Sequence, residues 1–252
     1  MGAHRKPVVT ATEPSLSLFH PAVVLVLALA GGAVLGYLAS RGACFFDAAI
    51  EAQGETGAAA RSTDRLSRGF LGGSYASRQH VVTACLGALL CCWLALAFGL
   101  SPHFLLALVL CWTLLCASLI DLKHFILPDS LTLPLLWAGL LINVAGYFAT
   151  LQDAVIGAAA GYLTLWSVYW MFKLLRNKEG LGHGDFKLTA ALGAWLGWQA
   201  LPTVILLAAF GGIAAGLILI AGRRMQASQP MPFGPFLAIA GFIVLSTPHR
   251  LF

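Results

Sequence analysis

The chain has 252 residues, of which 59% are apolar and only 10% charged, with a mean hydropathy of +0.85. An ordinary soluble domain carries roughly 25% charged residues, so the composition excludes a soluble globular protein and places the chain in a bilayer. Its net charge of +5 lies mainly in the segments between apolar runs, where it reads as a topology signal and not as a footprint for nucleic acid.

Residues 1–20 form a polar, Pro-bearing tail that ends at His20-Pro21 and is expected to be poorly ordered. The first apolar run, 21–40, leads into Ala39-Ser40-Arg41-Gly42-Ala43, which mimics a signal-peptidase site. The run is long for a signal sequence and follows a polar tail in place of a short basic leader, so it is read as a retained span. From Arg41 to Gln79 a loop mixes Arg, Glu, Asp, Gly and Ser, with a short amphipathic helix expected around Phe45 to Gln53 and a flexible stretch after it.

Further apolar runs follow at 80–98, 102–120, 131–149, 154–172, 186–201, 203–221 and 233–247. Each approaches the ~20 residues a helix needs to cross a hydrocarbon core. Together they predict an all-α, polytopic membrane bundle of about eight transmembrane helices, divided into a tail (1–20), a first span with its loop (21–79) and a membrane domain (80–252). Gly157 with Gly161, Gly193 with Gly197, and Gly212 with Gly216 are spaced for close helix packing. Five of the six cysteines sit inside apolar runs and no CxxC pair occurs, so they read as small core residues.

Loops rich in Lys and Arg stay in the cytoplasm. With the N-terminus outside, Arg41, Arg61, Arg65, Arg68, Arg78, Lys123, Lys173, Arg176, Lys178, Lys187, Arg223 and Arg224 all fall inside. Of the 15 basic residues only Arg5, Lys6 and Arg250 then lie outside.

Four of the ten acidic residues, Asp121, Asp129, Asp153 and Asp185, lie at or near the ends of apolar runs, where a carboxylate is costly and needs a reason. The topology puts Asp121 at the cytoplasmic end of the third run and Asp185 at the cytoplasmic start of the sixth. In Gly182-His183-Gly184-Asp185-Phe186-Lys187, glycines permit close approach to an acid that opens a helix. The helix dipole there favours the ionised carboxylate, whereas at Asp121 it opposes charge and favours retention of a proton. Two facing carboxylates in unlike settings can share one proton, the ionised member activating water and the protonated member polarising a carbonyl. Taken singly, each acid has a plainer reading. Asp185 is an N-cap, Asp121 an interfacial residue, Asp129 the N-cap of the helix after Pro128, and Asp153 a cap on the opposite face. Lys123, His124, His183 and Lys187 read as interface anchors, with Lys187 also placed to tune the potential near Asp185.

Three segments taken together carry a family resemblance. Ile120-Asp121-Leu122-Lys123-His124-Phe125-Ile126-Leu127-Pro128-Asp129, then Gly182-His183-Gly184-Asp185-Phe186-Lys187-Leu188, then Pro232-Phe233-Gly234-Pro235-Phe236 resemble the signatures of bacterial type IV prepilin peptidases. These are members of the GxGD group of intramembrane aspartyl proteases, which also holds presenilin and signal peptide peptidase. Order, spacing and membrane placement agree over about residues 80–250.

The resemblance implies a multi-pass protein of the bacterial inner membrane with its active site facing the cytoplasm. Its activity would be removal of the basic leader from type IV prepilins or type II secretion pseudopilins, without metal or other cofactor. It implies that Asp121 and Asp185 are catalytic and that Gly182, Gly184, Lys187, Pro128, Asp129, Pro232, Gly234 and Pro235 bind substrate or shape the site. The Pro232 to Pro235 segment is expected to form an edge of the site with no chemistry of its own. Many family members also methylate the new pilin N-terminus and carry two CxxC pairs, which look like a zinc site, after the first span. In this chain the loop holds only Cys44, too few ligands for a four-Cys zinc site. Gly36-Tyr37-Leu38-Ala39-Ser40 likewise departs from the Ser-Phe-Leu-Asn run usual at the end of the family's first span. Residues 21–79 therefore read as a degenerate methylase-like region and 80–252 as the peptidase domain, with peptidase activity expected and methylation not.

Two rival readings use the same residues. A non-catalytic assembly factor fits the degenerate first third but not the presence of both aspartates. A proton-coupled transporter would place acids at several depths, and this chain has none at mid-span.

Overall fold

The computed structural model describes residues 21–54, 77–176, 182–223, 226 and 231–247. The tail at 1–20 and the flexible stretch expected after Gln53 lie outside the described residues. Among those described, eight α-helices answer the eight apolar runs: α1 (Pro21–Gly54), α2 (Ser77–Phe98), α3 (Pro102–His124), α4 (Asp129–Val144), α5 (Leu151–Arg176), α6 (His183–Leu196), α7 (Leu201–Ala221) and α8 (Gly234–Ser246). A 3-10 turn, Trp198–Ala200, joins α6 to α7. The fold is an all-helical, polytopic membrane bundle. Five helical segments, Leu25–Ala43, His80–Phe98, Pro102–His124, Leu151–Leu175 and Trp198–Ala221, are long and apolar enough to cross a membrane, and α4 and α8 are shorter apolar helices. The expected break after the first span is absent, since α1 runs unbroken through Arg41 and the Phe45 to Gln53 stretch to Gly54.

Backbone approach organises the bundle. In α1 and α2, Gly32, Gly36 and Gly87 leave no room for a side chain: a methyl group on Gly36 would overlap the Thr83 carbonyl. Ser40, on the segment that departs from the family pattern, brings its Oγ to 2.6 Å from His80 Nδ1, so that run serves to hold α1 on α2. Gly157 lies against the backbone of Gly193, and a methyl group on Gly161 would come within 2.7 Å of the Thr189 carbonyl, which seats α5 on α6. Gly212 and Gly216 differ from expectation. A methyl group at either would lie 3.6 Å or more from the nearest side chains, those of Phe236, Phe233 and Met231, and would meet no backbone.

At 14 residues, α6 is about 21 Å long, short of the ~30 Å hydrocarbon core, and its residues from Asp185 to Leu196 are buried except Lys187. It is packed by α4, α5 and α8. Because Gly197 (φ +82°) turns the chain away, the last carbonyls of α6 need outside donors. Asn143 supplies them: its Nδ2 donates to Ala194 O (2.8 Å) and Trp195 O (2.9 Å), while its Oδ1 accepts from the N–H groups of Phe148 and Ala149 (both 3.0 Å). The fully buried Trp195 donates from Nε1 to Leu135 O at 2.8 Å, with its ring against Gly139. The cysteines are free where described; Cys91, Cys111 and Cys116 are buried, Cys92 is half-buried and Cys85 is exposed.

Candidate active site

Asp121 lies in the last turn of α3. That helix ends because Phe125 turns left-handed (φ 54°), its N–H closing on the Asp121 carbonyl. The turn sends Leu127 under Gly184, where a methyl group would come within 2.7 Å of Leu127 Cβ. A side chain at 184 would therefore force apart the two segments that hold the acids. Gly182 occupies the cap position of α6 and places Asp185 in its first turn. Both carboxyl-bearing residues are buried, Asp121 5% and Asp185 6% exposed.

The third segment closes the site. Gly234, the first residue of α8, donates its backbone N–H to Asp121 Oδ2 at 2.9 Å, and a methyl group in its place would come within 2.7 Å of the same oxygen. Pro232 to Pro235 thus borders the pair, with a backbone amide of this segment touching a candidate catalytic carboxylate. Pro235 in the first turn of α8 costs no hydrogen bond, since those N–H groups have no helical partner, and Pro232 is half-buried beside it.

The charge setting of Asp185 also departs from expectation. Lying one residue ahead of the apolar run 186–201 and outside the segments long enough to cross, it has a carboxyl pushed up to about 7, by burial first and by the charge of Asp121 second. The Gly182 backbone N–H, donating to it, works the other way. Burial and a like charge outweigh the helix-end field on which the sequence reading relied. The repulsion also locates Asp121 and Asp185 as an electrostatic pair.

Asp129 is not the N-cap of α4. Pro128 holds that position, and Asp129 is the first helical residue, its exposed carboxylate receiving the Lys187 ammonium at 2.5 Å. This ion pair ties α4 to α6 directly beside the two acids, so Lys187 is more than an interface anchor. His183 packs its ring on Tyr169 and Phe186. Asp153 sits at the other end of the bundle, at the start of α5. It too is not a cap itself: Thr150 caps the Asp153 N–H (3.1 Å) and donates to Oδ2 (2.6 Å), while Trp198 and Gln199 donate to Oδ1 (2.9 Å each). Asp121, Asp129 and Asp185 thus gather at one end of the bundle and Asp153 stands apart. Among the described residues no group of three or more His, Cys, Asp or Glu is placed to hold a metal ion.

Residues 108–217, which include Asp121 and Asp185, match the type IV leader peptidase family. The chain is 60% identical over 153 residues to a prepilin leader peptidase/N-methyltransferase of Aeromonas hydrophila, covering 60% of this chain and 53% of that protein. It is 55% identical over 177 residues to one of Burkholderia pseudomallei (69% and 57%) and 54% identical over 158 residues to one of Pseudomonas aeruginosa (63% and 54%). The chain spans about half the length of the curated relatives it matches. No solved structure matches it. The resemblance read from the three motifs is borne out by these matches.

Proposed function

From the match of residues 108–217 to the type IV leader peptidase family, we propose that the chain is a membrane aspartyl endopeptidase. It removes the basic leader from type IV prepilins or type II secretion pseudopilins at the cytoplasmic face of the bacterial inner membrane. The observation that carries this reading is the buried pair Asp121 and Asp185, contributed by two helices and coupled by charge at one end of the bundle.

Such a pair performs amide hydrolysis with one shared proton. The ionised carboxylate takes a proton from water as the water oxygen adds to the scissile carbonyl carbon, and the protonated carboxyl gives its proton to the carbonyl oxygen. The resulting diol then breaks its C–N bond, the amine leaving with the proton first taken from water and the diol hydroxyl returning the other. The net change is the addition of one water across the peptide bond. Gly182, Gly184, Pro128, Asp129, Lys187, Pro232, Gly234 and Pro235 hold the pair and frame the approach of the substrate backbone. A basic leader retained in the cytoplasm beside a hydrophobic helix in the bilayer presents its cleavage site at this depth, which agrees with the charge topology.

The methyltransferase activity in the relatives' printed names is not carried over, because residues 41–79 hold Cys44 alone where the family pattern has two CxxC pairs. The purified chain, mixed in detergent with a prepilin, is expected to release the leader and leave a mature N-terminus of unmethylated mass. An intact prepilin would refute the peptidase reading, and a product heavier by one methyl group would refute the second part.

A further inference from the structure

The end of the bundle remote from the acid pair holds a cavity of about 230 Å³, whose lining includes the apolar Phe148, Leu196 and Val244 and the polar Thr150, Asp153 and Gln199. One water needs only roughly 15 Å³, so the space admits a larger group. The Asp153 carboxylate is fixed by three neutral donors: Thr150 Oγ1 donates to Oδ2 (2.6 Å), and Trp198 Nε1 and Gln199 Nε2 donate to Oδ1 (2.9 Å each). None of them cancels its charge, and a carboxylate has about four acceptor sites, so one remains on Oδ2. Among the described residues no cation pairs with Asp153. The described stretches at this end, 99–103, 145–153, 197–202 and 246–247, contain no Lys or Arg, and their one histidine, His103, has its Nε2 3.1 Å from the Tyr147 carbonyl.

We propose that this cavity binds the primary ammonium headgroup of an aminophospholipid, with Asp153 as its counter-ion. Position points to a lipid. The crossing segments Leu151–Leu175 and Trp198–Ala221 both begin here, at the level of the headgroups, and Trp198, 46% exposed, is an amphipathic ring of the kind found at that boundary. The carboxylate offers a charge-assisted acceptor to a head that can donate, and its charge repels an anionic head. Phe148, Leu196 and Val244 take the methylenes beside it. Bound there, the lipid bridges the turn before α5, the 3-10 turn after α6 and the far end of α8, and so braces the end of α6. The site is separate from the acid pair and does not depend on the peptidase reading.

The test is binding of dioleoylphosphatidylethanolamine to the purified full chain in detergent, read by native mass spectrometry and by the midpoint of thermal aggregation, beside its N-acetylated counterpart and dioleoylphosphatidylglycerol. The amine lipid is expected to bind at least about tenfold more tightly than the other two, the size of one hydrogen bond between charged groups, and to raise the midpoint. Asp153→Asn should abolish that preference and the rise. Equal binding of the three lipids to the unaltered chain means an unselective lipid shell and overturns the proposal. A preference that survives in Asp153→Asn also overturns it, as does a midpoint that falls equally with and without the amine lipid, the mark of a purely structural carboxylate. Should Asp153→Asn fail to fold, a carbodiimide that joins carboxylates to amines is applied to the unaltered chain with the amine lipid, and the adduct is mapped by mass spectrometry. An amide on Asp153 supports the assignment; adducts that spare Asp153 overturn it.

Discussion

At the scale of single residues, the proposed pair predicts a pH dependence that neither acid would give alone. Hydrolysis needs one proton on the pair, and with the Asp185 carboxyl pushed up to about 7 that proton is retained below this pH and lost above it. Leader cleavage should therefore fall as pH rises through about 7, measured as initial rates with buffer and ionic strength matched. A rate that stays level to pH 9 would remove Asp185 from the role of acid. The Lys187–Asp129 ion pair is part-exposed, so its energy is that of a surface pair, ~0.2–1 kcal/mol. Lys187→Ala, Asp129→Ala and the double variant should each slow cleavage by less than about tenfold, with the double variant no worse than the poorer single one. The sequence made both acids of the pair legible through their setting at span ends. It did not reveal the Gly234 amide, because a backbone donor leaves no residue-type signal, nor the weight of burial at Asp185, which depends on how deeply α6 is enclosed.

At the scale of elements, α6 is the support on which the site rests. Helix ends in lipid need internal partners for their backbone groups, and at the end of α6 remote from the acids these come from Asn143, while the Trp195 indole ties the same end to the Leu135 carbonyl of α4. Asn143→Ala should lower the stability of the solubilised protein by ~2–4 kcal/mol, since it strands several buried groups at once, read as a lower midpoint for thermal aggregation. An unchanged midpoint would mean that water or lipid replaces those bonds. Gly157→Leu should be more severe, preventing α5 from seating on α6 and abolishing recovery of folded protein; normal yield and activity would contradict the backbone contact. The glycine pairs of α5 and α6 were readable from spacing, whereas Gly212 and Gly216 carry the same spacing and meet only side chains. Spacing places small residues on one face but does not say which helix arrives there. Likewise Asp129 and Asp153 stood where caps are expected, and Pro128 and Thr150 took those places.

At the scale of the whole molecule, the eight apolar runs correspond one to one with eight helices among the described residues, five of them containing segments long enough to cross a bilayer and the shorter α6 enclosed by its neighbours. The helix around Phe45 to Gln53 was readable, but not its continuity with the first span, since the polar residues from Arg41 on resemble the start of a loop. The proposed topology places the end with Asp121, Asp129 and Asp185 in the cytoplasm, on the charge asymmetry of the sequence. In intact cells a membrane-impermeant thiol reagent should label Thr150→Cys at the other end and spare Ser130→Cys, and the reverse pattern would invert the topology. The central claim is that two carboxylates from separate helices cleave a peptide bond together. Coexpression of the chain with a prepilin, comparing leader removal by the unaltered chain with Asp121→Asn and Asp185→Asn variants recovered in the membrane at equal level, tests it most directly. Loss of at least about a hundredfold in each variant is predicted from removal of one partner in a coupled acid–base pair; leader removal at the unaltered rate in either variant would contradict it.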